Sequence, residues 1–128
     1  MTVNPSRLLQ RRILLAEDDT SMCAFLTRAL ERAGYDVVAF NNGQDAYERL
    51  LEEPFTLLLT DIVMPVMDGI ELARKASEID PELKIMFITG FAAVTLNTEA
   101  GAPQEARVLS KPFHLKDLVD QIDHLLEA

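Results

Sequence analysis

The sequence predicts an α/β domain in which a five-stranded parallel sheet is covered by helices on both faces. Two observations carry this. Short apolar runs alternate with longer stretches whose apolar residues recur at helical spacing. The runs also lack the strict in–out alternation of a sheet with one wet face, as strands buried on both sides require. At 128 residues, 48% hydrophobic and 26% charged, the chain suits a single soluble domain with a real core.

Each element follows in order. Ile13-Leu14-Leu15-Ala16 is too short for a helix and runs into acids, so it reads as a buried strand. Met22, Phe25, Leu26, Ala29, Leu30 and Ala33 then define a helix, with Thr20 or Ser21 as cap and Gly34 as stop. Tyr35 to Phe40 is the second strand and Asn41-Asn42-Gly43 a turn. Ala46, Tyr47, Leu50 and Leu51 mark a helix that ends before Pro54. Thr56 to Thr60 is the third strand, closed by Asp61. A loop with Pro65 and Asp68-Gly69 leads to a helix carrying Ile70, Leu72, Ala73, Ala76 and Ile79. Lys84 to Ile88 is the fourth strand. Phe91 to Glu105 holds at most a short helix between Gly and Pro breakers. Arg107 to Ser110 is the fifth strand, and Leu115, Leu118, Val119, Ile122, Leu125 and Leu126 stripe the last helix. Residues 1–11 read as a flexible extension and 12–128 as the domain.

Charge and composition exclude several classes of function. The 12 basic and 21 acidic side chains leave a net charge of −9, which repels phosphate backbones and anionic lipid. No apolar run approaches the ~20 residues that span a bilayer, and the polar start from Met1 to Arg12 is no secretory signal. One cysteine, Cys23, excludes an internal disulfide and fits a reducing cytoplasm; on the apolar stripe of the first helix it reads as a buried thiol. His114 and His124 lack metal-ligand spacing.

In open parallel sheets the ligand site lies at the carboxyl ends of the strands. Those positions hold Glu17-Asp18-Asp19, Asp61, Thr89-Gly90 and Lys111-Pro112. Clustered carboxylates repel unless a cation joins them, and oxygen ligands without His or Cys suit Mg²⁺. With the Lys111 ammonium and the Thr89 hydroxyl, the inferred ligand is a phosphoryl group, and a neighbouring carboxylate is its acceptor. Taken singly, each residue has a plainer role. Asp18 and Asp19 suit helix caps, Asp61 an Asx-turn, Lys111 the surface and Thr89 a cap.

Ile13 to Asp19, Leu57 to Gly69, Ile88-Thr89-Gly90 and Ser110 to Phe113 resemble, in order and spacing, the receiver domain of two-component response regulators. The likeness runs over about residues 12 to 126. It implies a flavodoxin-like (βα)5 fold with strand order 2-1-3-4-5. It further implies that Asp61 becomes the 4-aspartylphosphate. Asp18 and Asp61 would be direct Mg²⁺ ligands, Glu17 would act mostly through water, and Val63 would lend its backbone carbonyl. Lys111 would contact the phosphoryl group, Thr89 would swing toward it, and Lys111-Pro112 would be a cis bond. The runs Leu58 to Pro65, Lys84 to Val94 and Val108 to Pro112 are similar to a narrower group of stand-alone alphaproteobacterial receivers linked to ClpXP-dependent proteolysis in the cell cycle. In that group the unphosphorylated form primes the protease, and a histidine-kinase relay switches this off. The implied partners are a histidine kinase or histidine phosphotransferase and a ClpX-type unfoldase or its substrates. The implied state is a monomer or weak dimer, without nucleic acid or membrane.

Val108 departs from the family, which often has Tyr or Phe there, so a Tyr/Thr rotamer switch is not expected. Gly90 beside Thr89 leaves the acceptor open to water, which predicts a short-lived acyl phosphate. The chain ends at Ala128 without an output module, so output is expected through a partner, with Phe91, Ala92, Ala93, Val94 and Leu96 as candidate contact surface. Two other classes fit less well. A haloacid-dehalogenase-type phosphohydrolase wants an Asp where Val63 stands. A nucleotide or flavin carrier wants a Gly/Ser/Thr loop where Glu17-Asp18-Asp19 stands.

Overall fold

A computed structural model describes residues 11–89, 107–110 and 113–127. The readings made for residues 1–10, for Gly90 and the Phe91–Glu105 segment, and for Lys111-Pro112 lie outside these. The chain runs β1 (Arg12–Ala16), α1 (Thr20–Arg32), β2 (Asp36–Phe40), α2 (Gly43–Glu52), β3 (Leu57–Asp61), α3 (Gly69–Ile79), β4 (Lys84–Thr89), β5 (Arg107–Ser110) and α4 (Leu115–Glu127). The five strands form one parallel sheet of order β2-β1-β3-β4-β5, as predicted. Among the described residues no helix is long and apolar enough to cross a membrane.

The triple leucine of β3 shows why the strands carry no alternation. Side chains on a strand point alternately to opposite faces. Leu57 and Leu59 enter one core, with Ile13, Leu15, Leu26 and Ile122, while Leu58 enters the other, with Leu14, Leu72 and Phe87. Both faces are dry here, so all three leucines are buried, and each contributes roughly 2 kcal/mol.

The helix starts refine the sequence reading. Asp19, not Thr20 or Ser21, caps α1, its Oδ1 accepting the Met22 N–H at 3.0 Å. Asn42 caps α2 by accepting from Asp45 N–H at 2.8 Å, so the expected turn at Asn41-Asn42-Gly43 is a cap with Gly43 already helical. Asp68 caps α3, accepting from Glu71 N–H at 2.8 Å. At the other end of α1, Gly34 takes a left-handed φ of 98°, and the Arg11 guanidinium donates to the carbonyls of Ala33 and Gly34. Phe25 and Leu51, expected on the apolar stripes, are instead more than half exposed. Each sits one residue off the Leu26 or Leu50 that faces the core, and a step of one residue turns a helix by about 100°.

At the amino end of the sheet Arg12 pairs with Asp36 at 3.1 Å and with Glu53, which also accepts from Arg49. The Arg12 hydrogen bond is the main reason that the Glu53 carboxyl titrates below its ordinary value. A depressed folded-state pKa contributes stability above the unfolded value and loses it as pH falls through the folded value. Glu53→Gln is therefore expected to be less stable than wild type near neutrality. The gap should close as the pH drops below the ordinary glutamate range of about 4.3, as read by denaturant melts across pH.

The loop between β3 and α3 carries a strained residue. Met67 N–H donates to Pro65 O at 2.8 Å around Val66, whose φ is 70°. That is a γ-turn of the left-handed, strained kind, on a β-branched residue that is 94% exposed and so gains no packing. Buried Met64 and Met67 on either side hold the turn in place. Strain of about 1–3 kcal/mol outweighs the extra chain entropy of glycine, about 0.5–1 kcal/mol. Val66→Gly should thus stabilise the protein by about 1 kcal/mol and raise Tm by roughly 4 °C in a thermal melt.

Candidate functional site

The site grows from strand register. Ala16 pairs with Thr60, so the residue after β1, Glu17, stands level with Asp61, the last residue of β3. The Glu17 main chain is still held by β2, its N–H donating to Phe40 O at 3.0 Å. Its side chain is fully buried, and Oε2 accepts the Asp19 N–H at 3.2 Å. Asp18 is exposed at the rim. Asp19 turns away to cap α1. The carboxylate oxygens of Glu17, Asp18 and Asp61 lie within 4.8 Å of one another.

Asp61 is only 8% exposed. Its Oδ1 accepts the Ile62 N–H at 2.7 Å. Three acidic groups at such separations, two of them buried, form a donor set for a hard cation. Oxygen bonds of about 2.1 Å for Mg²⁺ and up to about 2.6 Å for Ca²⁺ put opposite ligands roughly 4–5 Å apart, and the observed spread matches that span. The chemistry of the residues therefore fits a divalent ion.

Val63 lies two residues past Asp61 in the exposed part of the β3–α3 loop. Thr89 is the last residue of β4 and pairs with Ser110 of β5, the residue before Lys111. Lys111 itself is outside the described residues. His114 and His124 are exposed and belong to no acidic or metal-type cluster among the described residues. Cys23 is half-buried rather than buried; loss of water, and then the charge of Glu17, raise its pKa and keep the thiol protonated.

Two residues that sequence reading passed over shape the site. A Cβ placed on Gly69 would sit 1.9 Å from Asp61 O and 3.0 Å from Ile62 Cα, so the start of α3 packs directly on the Asp61 main chain. Gly69 N–H also donates to Ile62 O at 2.8 Å. Thr60 is the second, a fully buried hydroxyl in an otherwise apolar strand. That contrast was the available signal.

Residues 13–123 match the response regulator receiver domain family. The chain belongs to this family. The response regulator receiver protein CpdR of Brucella abortus (strain 2308) is 70% identical over 118 residues, which is 92% of this chain and 98% of that protein. A crystal structure of a response regulator receiver protein from Sinorhizobium medicae WSM419 superposes with a TM-score of 0.84 at 33% identity, covering 91% of this chain and 94% of that one. The crystal structure of the receiver domain from the hybrid histidine kinase CckA gives a TM-score of 0.76 at 30% identity, covering 90% and 98%. Receiver domains are in general signalling switches rather than catalysts, and they generally bind Mg²⁺ through acidic residues. This receiver has a cluster of acidic residues, Glu17, Asp18 and Asp61, that could hold a metal ion.

Because no side-chain movement can relieve a 1.9 Å approach of a Cβ to main-chain oxygen, Gly69→Ala is expected to cost about 3 kcal/mol or more. A shift of the urea midpoint at unchanged m-value would register it.

Proposed function

We propose that this receiver is a cytoplasmic phospho-acceptor switch: Asp61 takes a phosphoryl group from a phosphohistidine on a histidine kinase or phosphotransferase, and the product state changes the binding of a partner protein. The convergence of the Glu17, Asp18 and Asp61 carboxylates on one rim, with Asp61 nearly buried, is the observation that carries this reading.

On this reading an Asp61 carboxylate oxygen attacks phosphorus as the phosphorus–nitrogen bond of the donor breaks. The imidazole leaves and takes up a proton, and Asp61 is left as an acyl phosphate. Glu17, Asp18, Asp61 and the Val63 carbonyl would hold Mg²⁺, which when bound neutralises charge on the phosphoryl oxygens. Lys111 would pair with the same oxygens and Thr89 would donate a hydrogen bond to one of them. Attack by water would reset the switch without any exogenous substrate, which distinguishes it from a turnover enzyme.

For the output, we read the chain as a regulator of ClpXP-dependent proteolysis in the cell cycle, acting on a ClpX-type unfoldase or its substrates. Two features support this. The β3, β4 and β5 runs resemble that stand-alone subgroup, and CpdR is a full-length match rather than a part of a longer regulator.

Incubation with Mg²⁺ and acetyl phosphate is expected to add one phosphoryl group per chain by intact mass, with none added to Asp61→Asn. Pull-down of purified ClpX should differ with and without beryllofluoride. Multiple turnover on exogenous phosphoesters, or modification that persists in Asp61→Asn, would overturn the reading.

A further inference from the structure

The Asp61–Ile62 peptide group is gripped at both ends. Its carbonyl, Asp61 O, accepts the Thr60 hydroxyl at 2.8 Å inside the protein. Its N–H, on Ile62, donates to the Asp61 carboxylate Oδ1 at 2.7 Å. A peptide group is planar, with C=O and N–H locked in opposite directions. Fixing the carbonyl direction therefore fixes the direction in which the N–H points. Gly69 closes the remaining side, since the start of α3 lies against that same carbonyl.

We infer that Thr60 is a positioning residue for Asp61: its hydroxyl sets the tilt of the Asp61–Ile62 peptide plane, and that plane aims the carboxylate through the Ile62 N–H. By strand alternation Thr60 lies on the face of β3 that carries Leu58, and its hydroxyl bonds the Asp61 carbonyl rather than the carboxylate. Its influence passes through one rigid amide. The proposal rests on Asp61 being the acceptor, and it concerns how that carboxylate is held rather than what it accepts.

The choice of a polar residue here has a physical cost that this role explains. β3 is otherwise three fully buried leucines before the acid, and a valine of the same shape would bury more apolar surface. A hydroxyl in that place is useful only through the bond it makes.

Two variants separate positioning from packing. Thr60→Val keeps the shape and removes the donor; Thr60→Ser keeps the donor and removes a methyl group. If Thr60 were only core filler, valine would behave as well as threonine and serine worse. The positioning role reverses that order at the site. Relative to wild type, Thr60→Val should phosphorylate with acetyl phosphate and Mg²⁺ about tenfold more slowly, the scale expected for a small misalignment of a reacting group. Thr60→Ser should stay within about twofold. In ¹H–¹⁵N spectra the Ile62 amide proton should keep its hydrogen-bonded downfield position in wild type and Thr60→Ser and lose it in Thr60→Val. Thermal melts of both variants confirm that each is folded. Equal rates for the valine and serine variants with an unmoved Ile62 amide would overturn the proposal. If wild type takes no phosphoryl group at all, the acceptor reading fails instead, while the Ile62 amide still reports whether Thr60 holds the peptide.

Discussion

Mutual repulsion among carboxylates at one edge of the sheet is the constraint to which the surrounding structure answers. With oxygens within 4.8 Å, a fully ionised pair repels by about 3–4 kcal/mol at an effective dielectric of ~20. The fold brings the groups together through strand register. A parallel sheet with β1 beside β3 puts Glu17 level with Asp61 whatever those residues are. An arrangement this costly is useful when a cation or a transferred group changes its charge. The same repulsion then becomes a large difference in free energy between two states, which is what a switch requires.

Around that point the main chain is held by close approaches rather than by bulk. Gly69 lets α3 abut Asp61, and Gly43 lets the start of α2 come within contact of Met67, where a Cβ would lie 2.9 Å from the Met67 carbonyl. Buried Met64 and Met67 anchor the loop between these two contacts, and Val66 is left as the strained, exposed apex. The loop that follows Asp61 is therefore over-determined at its ends and tense in its middle. Such loops persist only where the structure around them leaves no alternative.

The two cores bear on the site differently. β1 feeds both cores, with Ile13 and Leu15 in the one under α1 and α4 and Leu14 and Ala16 in the one under α2 and α3, and the second also takes Met64 and Met67 of the β3–α3 loop. The amino end of the sheet is tied separately, by Arg12 to Asp36 and Glu53 and by Tyr35 to Asp123 on α4.

The order of elements and the acidic positions were legible in the amino-acid sequence, because they depend on periodicity and on the rule that ligands sit at strand carboxyl ends, while the strand order came from the likeness to receiver domains. Glu17, Asp18, Asp19 and Asp61 could be named from that rule, and the likeness to receiver domains set Asp19 apart from the other three. The choice of Asp19 over Thr20 as the cap, the outward turn of Phe25, and the half-exposure of Cys23 were not, since each depends on the helix's rotation against the sheet. The hold on Asp61 was also out of reach. Thr60 bonds the Asp61 carbonyl and Gly69 packs against it. The Gly69 contact exists only once α3 has packed back on β3, and the Thr60 bond depends on the backbone angles that the sheet imposes, so local sequence could supply the residue types but not their approach.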